Sequence, residues 1–329
     1  MKPWREELLA ALSKSGAQYV KGEELAEKFG FSRAALWKKI SVLRSEGYPI
    51  EAVTNRGYRM SPREKDFEIQ VKAALVKEQL DGIFDVHVVD TAPSTNLLAR
   101  EAGVRGDKEI GVFVALQQTA GRGRRGRTWI SNTEEGLWFS FLLRPEVEPG
   151  TASMLTLLFG LCILKAIQKT CNIPAGIKWP NDIISLQNGK KLCGILSETS
   201  MEDNRISYAV VGCGINVQQV GFPEEIQAVA TSIHMEGAAI TRMQLLMAVL
   251  REAAAGYTEF EKNPSAFLPE YRANCATLGR TVRIESASPV VGTAQDISEQ
   301  GDLLVRKPDG TMVICTSGEV SVRGMLGYL

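Results

Sequence analysis

Hydrophobic positions in the first sixty residues recur at helical spacing before the rhythm changes. Trp4, Leu8, Leu9 and Leu12 share one face of a helix, and Leu25, Ala26 and Phe29 mark a second, shorter one from Gly22 to Phe29. Gly30 supplies a turn and Ser32 an N-cap for a third helix, Arg33 to Ser45, in which Leu36, Ile40 and Leu43 form one apolar stripe. Tyr48 to Val53 and Gly57 to Met60 then read as two strands joined through Thr54-Asn55-Arg56-Gly57. Helix, tight turn, helix and hairpin in this order predict a winged helix-turn-helix over residues 1–62.

Residues 63–82 read as a connector of uncertain order, with Phe67, Ile69, Val71 and Leu75 hinting at partial structure. Beyond it the pattern changes to apolar runs of strand length: Val86 to Asp90, Val112 to Gln118, Leu137 to Leu143, Gly176 to Trp179, Asp182 to Ser185, Lys191 to Thr199 and Ala209 to Val217. Helical spacing returns only near Ser94 to Gly103, Ala152 to Thr170 and Met243 to Glu261. Because consecutive strands outnumber the helices between them, residues 83–273 are expected to be α+β, with a mixed, largely antiparallel sheet and helices on one face. Turn signals at Ser286-Ala287-Ser288-Pro289, Ser298-Glu299-Gln300-Gly301 and Lys307-Pro308-Asp309-Gly310 break the remainder into short strands, which predicts a small SH3-like β-barrel over residues 274–329.

Charge sharpens the first of these readings. The 329-residue chain is neutral overall, but residues 1–60 hold eleven Lys/Arg against seven Asp/Glu. A winged helix-turn-helix sets its second helix in the DNA major groove and its wing on the phosphates, which needs cations where Arg33, Lys38, Lys39, Arg44, Arg56 and Arg59 lie, with Ser32 at the helix start. A protein-interaction module or a packing domain would use the same helices. Elsewhere composition excludes more than it selects. The six cysteines show no C-x-x-C spacing and only two histidines are present, so no bound metal is expected. The apolar run Met154 to Leu164 is short for a membrane span and the first residues lack the apolar core of a signal peptide, so a cytoplasmic location is expected.

The segment Gln117-Gln118-Thr119-Ala120-Gly121-Arg122-Gly123-Arg124-Arg125-Gly126-Arg127-Thr128-Trp129 carries the strongest chemical signal. Glycine permits close backbone approach, and arginine offers a planar fork to carboxylate and phosphate oxygens. Gly121, Gly123 and Gly126 also satisfy G-x-G-x-x-G, but a dinucleotide loop must open a helix, and the aromatic, β-branched residues that follow predict a strand. No Lys-Ser or Lys-Thr follows the last glycine, so a Walker loop fails as well. An anion cradle for a small charged molecule remains.

Four further segments stand in fixed order around this loop: Thr91-Ala92-Pro93-Ser94-Thr95-Asn96, Lys178-Trp179-Pro180-Asn181-Asp182, Lys191-Leu192-Cys193-Gly194-Ile195-Leu196 and Gly212-Cys213-Gly214-Ile215-Asn216-Val217. Each alone fits ordinary caps, turns and crowded strands. Together with the Gly/Arg loop they closely resemble the biotin protein ligases, and the two flanking modules resemble the bifunctional kind that also represses biotin genes. The resemblance spans essentially the whole chain. It implies an enzyme that joins biotin to ATP, forms biotinyl-5′-adenylate and passes biotin to one lysine of a biotin carboxyl-carrier protein. It also implies Mg²⁺ accompanying ATP, operator DNA as a second partner, and a homodimer when the adenylate is bound.

Carried over position by position, the resemblance places biotin against Ser94, Thr95, Asn96, Gln118, Gly121, Arg122, Arg124, Lys191 and Gly194. The nucleotide is placed against Arg124, Arg125, Arg127, Trp129, Asn181, Lys191, Asn216 and Phe222, and Arg124, Lys191 and Asp182 are the catalytic candidates. The residue chemistry agrees: Ser, Thr and Gln both donate and accept hydrogen bonds, as a ureido ring requires, and an amide suits an adenine edge. Cys193 and Cys213 lie inside motifs without a neighbouring histidine and read as small strand residues. Cys193 stands where the family commonly has a smaller residue such as Ala, and Val217 to Glu236 has no confident match. Two alternatives share parts of the pattern: a lipoate- or octanoate-transferring enzyme, which hardly needs the Gly/Arg loop, and a sensor that keeps the pocket without turnover.

Overall fold

The computed structural model describes residues 3–14, 18–45, 50–54, 56–60, 64–107, 110–285, 289–316 and 321–324. The chain divides into two compact units, Met1–Ala73 and Ala74–Leu329. In the first, α1 (Pro3–Lys14), α2 (Gly22–Lys28) and α3 (Arg33–Ser45) are followed by the antiparallel hairpin β1 (Ile50–Val53) and β2 (Gly57–Met60). Leu8 and Leu12, Leu25, then Leu36, Ile40 and Leu43 converge with Ile50 and Met60 on one core, so the apolar stripes of the sequence meet as helical spacing requires. Val20 and Tyr58 exchange backbone hydrogen bonds of 2.8 and 2.9 Å, and this rung crowds the neighbouring turn. Gly57 has φ +109° there, and a Cβ would run into Val20 O, so only glycine fits. The first two residues of the expected wing strand, Tyr48 and Pro49, and Asn55 of the turn lie outside the described residues.

Where the sequence suggested a connector, Glu64–Glu78 forms a helix, α4. Phe67, Val71 and Leu75 fall at four-residue intervals, and the last two are buried, which gives the segment a helical stripe.

The second unit is built on a seven-stranded sheet in the order β3-β4-β5-β9-β8-β7-β6. Its strands are β3 (Phe84–Ala92), β4 (Ile110–Gln118), β5 (Gly136–Leu143), β6 (Ala175–Lys178), β7 (Asp182–Ser185), β8 (Lys191–Glu202) and β9 (Arg205–Asn216). Only β3 and β4 pair in parallel. That pair needs a crossover, and α5 (Thr95–Arg105) supplies it. Strand alternation sorts the helices. Phe141 of β5 packs on Phe159 of α6 (Met154–Cys171), which in turn packs on α8 (Arg242–Lys262). The adjacent Ser140 and Leu142 point the other way, to α5. Helices on one face therefore holds for α6 and α8, whereas α5 lies on the opposite face because the parallel pair carries it there.

Helix α6 is buried on nearly every side, which explains its unbroken apolar sequence. Among the described residues it is the one helix long and apolar enough to cross a membrane, and it is the core helix of this unit. Two short helices follow, α7 (Glu224–Gln227) and α9 (Leu268–Ala273). The chain then enters an antiparallel five-stranded sheet in the order β13-β12-β11-β10-β14. Its strands are β10 (Thr281–Glu285), β11 (Val290–Ile297), β12 (Leu303–Arg306), β13 (Met312–Cys315) and β14 (Ser321–Gly324), with β13 and β14 at the two edges. The expected turn at Ser286 to Pro289 falls largely outside the described residues, while those near Gly301 and Gly310 are present. Trp179 ties this sheet to the β6–β7 turn, its indole donating to Gly301 O at 3.0 Å and its backbone N–H to Thr277 Oγ1 at 3.0 Å.

Phe141 is fully buried among Phe84, Phe139 and Phe159. Phe141→Ala is expected to destabilise the larger unit by about 3–5 kcal/mol, read as a lowered urea midpoint with an unchanged slope.

Candidate active site and nucleic-acid interface

The Gly/Arg segment leaves β4 as a tight hairpin with a single 3-10 turn at Arg124–Gly126 and opens no α-helix. Gln118 N–H donates to Ser131 O at 2.8 Å, Trp129 N–H to Gly121 O at 3.0 Å and Gly123 N–H to Arg127 O at 2.7 Å. At its tip Arg125 and Gly126 both take left-handed backbone, φ 57° and 73°. The hairpin lays Trp129 on the sheet face opposite α6. Beneath it, Gly194 of β8 and Gly214 of β9 are register partners. A Cβ on Gly214 would lie 2.5 Å from Trp129 Nε1 and one on Gly194 3.0 Å from Trp129 Cζ3. The indole can lie there only because both strands lack side chains at those positions.

Two chambers open on either side of Trp129. The larger, about 230 Å³, is lined by Arg124, Arg125, Arg127, Trp129, Asn181, Asp182, Lys191, Asn216 and Phe222 among others, so it gathers every residue expected around the nucleotide. The smaller, about 50 Å³, is lined by Ser94, Thr95, Asn96, Gln118, Arg122 and Gly194, the set expected around biotin. Gly123, Arg124, Trp129, Asn181 and Lys191 line both, and so form the junction. Gly121 lines neither chamber: it backs onto Trp129 O and Ser131 Oγ, where a Cβ would collide, and it serves the hairpin.

At the junction Lys191 Nζ sits 2.6 Å from Asp182 Oδ1 and 5.0 Å from the Trp129 ring centroid. Arg124 donates from Nη1 to Asn181 Oδ1 at 2.9 Å. Burial lowers the Arg124 pKa and the nearby Asp182 opposes that shift, but a guanidinium keeps its charge. Asn181 also donates to Ile195 O at 3.0 Å, so its amide is committed to the strand and to Arg124. Asn216 donates to Thr231 O at 3.0 Å and to Lys191 O at 3.4 Å. Both asparagines line the larger chamber with amides engaged in shaping it, whereas the sequence suggested that they read an adenine edge. Burial pushes the Cys193 and Cys213 thiols well up, and that of Cys162 to about 12, so none supplies a thiolate near neutral pH.

Sequence reasoning missed the far wall of the larger chamber. Lys178, Ile226, Val229 and Ala230 all line it, the last three from the segment after β9 that had no recognisable motif. Ile226 lies in the four-residue helix α7 and Val229 just beyond its end, too short a run for a periodic signal.

In the first unit, Ser32 Oγ accepts from Ala35 N–H at 3.1 Å, the expected cap of α3. Lys38 and Arg44 are exposed along α3, Arg56 is exposed at the wing, and Arg33 pairs with Glu23. Lys39 differs from the expectation: its Nζ sits 3.7 Å from the Trp4 ring centroid and 4.7 Å from that of Phe31, which turns it toward α1. Arg59 is tied to Glu51 at 2.7 Å and stacks on Tyr19. Trp37, 60% exposed on α3 and not singled out from sequence, lines the groove between α3 and the wing together with Arg33 and Arg56.

Comparison with known proteins bears on both sites. Residues 88–216 match the Biotin/lipoate A/B protein ligase family, residues 5–59 an HTH domain, and residues 277–323 the Biotin protein ligase C terminal domain. The bifunctional ligase/repressor BirA of Bacillus subtilis is 33% identical over 314 residues, spanning 93% of this chain and 95% of its own length. Its namesake from Escherichia coli is 32% identical over 322 residues, 96% of each chain. The chain belongs to the bifunctional biotin protein ligase family. Among solved structures, the biotin protein ligase from Aquifex aeolicus in complex with biotin and ATP superposes with a TM-score of 0.63 at 30% identity, covering 73% of this chain and 99% of that one.

In this member of the family the segment after β9 is pinned beside the junction. Lys191 N–H donates to Val229 O at 2.8 Å and Thr231 N–H to Lys191 O at 3.0 Å, so the backbone of Lys191 carries the chamber wall. Glu236 clasps the same segment, accepting from Ser185 Oγ at 2.5 Å, Thr231 Oγ1 at 2.6 Å and Asn188 Nδ2 at 2.8 Å. Burial raises its pKa, but these three hydrogen bonds, with Lys190 nearby, outweigh it and hold the carboxyl below its ordinary value. A depressed carboxyl pKa stabilises the folded form fully above the unfolded-state pKa, and that contribution fades as pH falls through the folded one. Amide exchange at Thr231 is therefore expected to accelerate, relative to the core strands, as pH is lowered below about 4.5. Glu236→Gln should remove most of that pH dependence.

Proposed function

We infer that this chain is an ATP-dependent biotin protein ligase that also represses transcription. The observation that carries the reading is the junction: two chambers of complementary chemistry meet where Arg124 and Lys191 line both. Activation of a carboxylic acid by ATP brings two anions together, and cations fixed at that point lower the barrier in a site sheltered from water. A biotin carboxylate oxygen attacks the α-phosphorus, the bond to the β-phosphate breaks, and pyrophosphate leaves with Mg²⁺. In the second step the neutral amine of a carrier lysine attacks the anhydride carbonyl, AMP departs, and the amine proton passes to solvent.

The residues divide accordingly. Ser94, Thr95 and Gln118 meet the ureido ring, Trp129 covers the apolar stem, and Phe222, Ile226 and Val229 shelter the nucleoside. Trp129 offers an indole N–H that is buried and has no acceptor among the described residues, as befits a wall that a ligand completes. Lys191 exchanges its Asp182 partner for phosphate when the nucleotide enters. Asp182 holds Lys191 in the interim and adds negative potential beside Arg124. The free, buried state of Cys162, Cys171, Cys193, Cys213, Cys275 and Cys315 suits the cytoplasm. As a repressor the chain acts as an adenylate-bound homodimer, which sets two α3 helices on a two-fold-symmetric operator.

The experiment is transfer of labelled biotin to a carboxyl-carrier domain by the full-length protein with ATP and Mg²⁺. Labelling with stoichiometric pyrophosphate release is expected, and Lys191→Ala should lower the adenylation rate about 10²–10³-fold without altering the thermal midpoint by more than a few degrees. An unaltered rate would refute the role of Lys191, and its absence in the wild type with biotin would refute the ligase reading.

For the DNA-facing unit, Lys38→Ala with Arg44→Ala is expected to weaken binding to DNA from upstream of biotin-synthesis genes. The slope of log K against log salt should fall by about two while biotin transfer continues. Lys39→Ala, which faces Trp4, should leave that slope unchanged.

A further inference from the structure

The smaller chamber is backed by a chain of hydrogen bonds that reaches from its lining to Glu198, and neither Glu198 nor Ser140 carries an assigned role. Asn96 Nδ2 faces Glu198 Oε2 at 2.8 Å and Leu196 O at 3.3 Å. A peptide carbonyl can only accept, so the atom facing Leu196 O and Glu198 must be the amide nitrogen. Asn96 Oδ1 consequently faces Ser140 Oγ, at 2.7 Å. The Ser140 hydroxyl, wholly buried beneath α5, lies 2.7 Å from Thr95 Oγ1 as well. Serine has one proton. Asn96 Oδ1 can only accept, so that proton goes to Asn96, and the contact with Thr95 must be bridged by the proton of Thr95.

The orientation of Gln118 is fixed from the other side. Its Oε1 accepts from Thr95 N–H at 2.8 Å, so Nε2 is left as the donor. Thr95 Oγ1 also lies 3.3 Å from Gln118 Oε1, but its single proton belongs to the shorter contact with Ser140. The chamber therefore presents Thr95 Oγ1 as an acceptor and Gln118 Nε2 as a donor. Gly212 admits the arrangement, because a side chain there would run into Asn96 Oδ1.

We propose that Glu198, acting through Asn96 and Ser140, is a positioning residue that sets the hydrogen-bond polarity of Thr95 and so selects a cyclic urea over acids that lack N–H groups. The proposal rests on the ligase reading and deepens it: the family profile covers both biotin and lipoate enzymes, and this relay supplies a chemical reason for one of those acids. A ureido ring offers N–H to Thr95 and C=O to Gln118. A dithiolane or alkyl tail offers neither, and would leave both protein groups unpaired inside the chamber, which is a strong basis for rejection. With Ser140 truncated, the Thr95 proton is free to turn toward the ligand; with Glu198 truncated, only the longer contact to Leu196 O still orients the Asn96 amide, and the polarity is weakened.

The test uses the full-length protein, with biotin-dependent pyrophosphate release followed at varied biotin and varied ATP, and biotin binding measured separately by calorimetry. Wild-type turnover with biotin tests the ligase reading by itself; the variants test the relay. Ser140→Ala and Glu198→Leu are each expected to raise the biotin KM and Kd about five- to tenfold while the ATP KM stays put. Their preference for biotin over octanoic acid should fall in the same proportion. Glu198→Gln keeps an acceptor for Asn96 and should restore the wild-type biotin KM. Glu198 is half-exposed, so its variants remain informative if Ser140→Ala fails to fold. An unchanged biotin KM in Glu198→Leu, or biotin and ATP KM rising together in both truncations, would overturn the proposal.

Discussion

Bare backbone on two neighbouring strands is the constraint on which the rest of the site depends. Gly194 and Gly214 face each other across β8 and β9, and Gly212 follows one step along. Their missing side chains leave a floor on which Trp129 and Asn96 lie in direct contact with the sheet. A buried strand ordinarily favours β-branched side chains, and the opposite face of β9 obeys that rule with Val211 and Ile215. The glycines give up packing on one face, and the space becomes the two chambers. α6 covers the other face of the same strands, and α8 packs on α6 in turn, so the floor rests on the buried core of the larger unit.

That division explains what was legible in the sequence. The strands of the central sheet were, because each is an apolar run between turn residues, and so was the winged unit, because Leu36, Ile40 and Leu43 keep helical spacing. The position of α5 was not: only knowing that β3 and β4 run parallel places it on the second face, and strand direction leaves no mark in a local pattern. Helix α4 was underread because charged residues and Pro62 diluted a stripe of three residues.

The site divides in the same way. Ser94, Thr95, Gln118, Arg124, Lys191 and Asn181 stand in compact motifs, and the structure brings them to two adjoining chambers. Reading chemistry from residue type was less secure. Asn181 and Asn216 have the right groups for a base edge, yet their amides hold Arg124 and the segment after β9. Lys39 is a cation on a basic helix, yet it covers aromatic rings. In each case the decisive fact is a partner distant in sequence, which no spacing rule supplies. Ser140 and Glu198 belong to the same class, since what makes them matter is the direction of a proton.

Lys191 joins the separate parts of this arrangement. Its side chain faces Asp182 across the junction, and its backbone holds Val229 and Thr231, so one residue both places a cation at the junction and anchors the wall around it. Entry of a nucleotide must therefore act on two things at once. On the proposed function, phosphate would compete with Asp182 for the ammonium, and the nucleoside would fill the space between Trp129 and the segment that Lys191 carries. A ligand shifts a conformational equilibrium only through contacts that differ between the states. The exposed tip of the Arg hairpin, where Arg125 and Gly126 take left-handed backbone, can offer contacts of that kind, whereas the segment after β9 is held by Lys191, Asn216 and Glu236 and the glycine floor is fixed in the sheet.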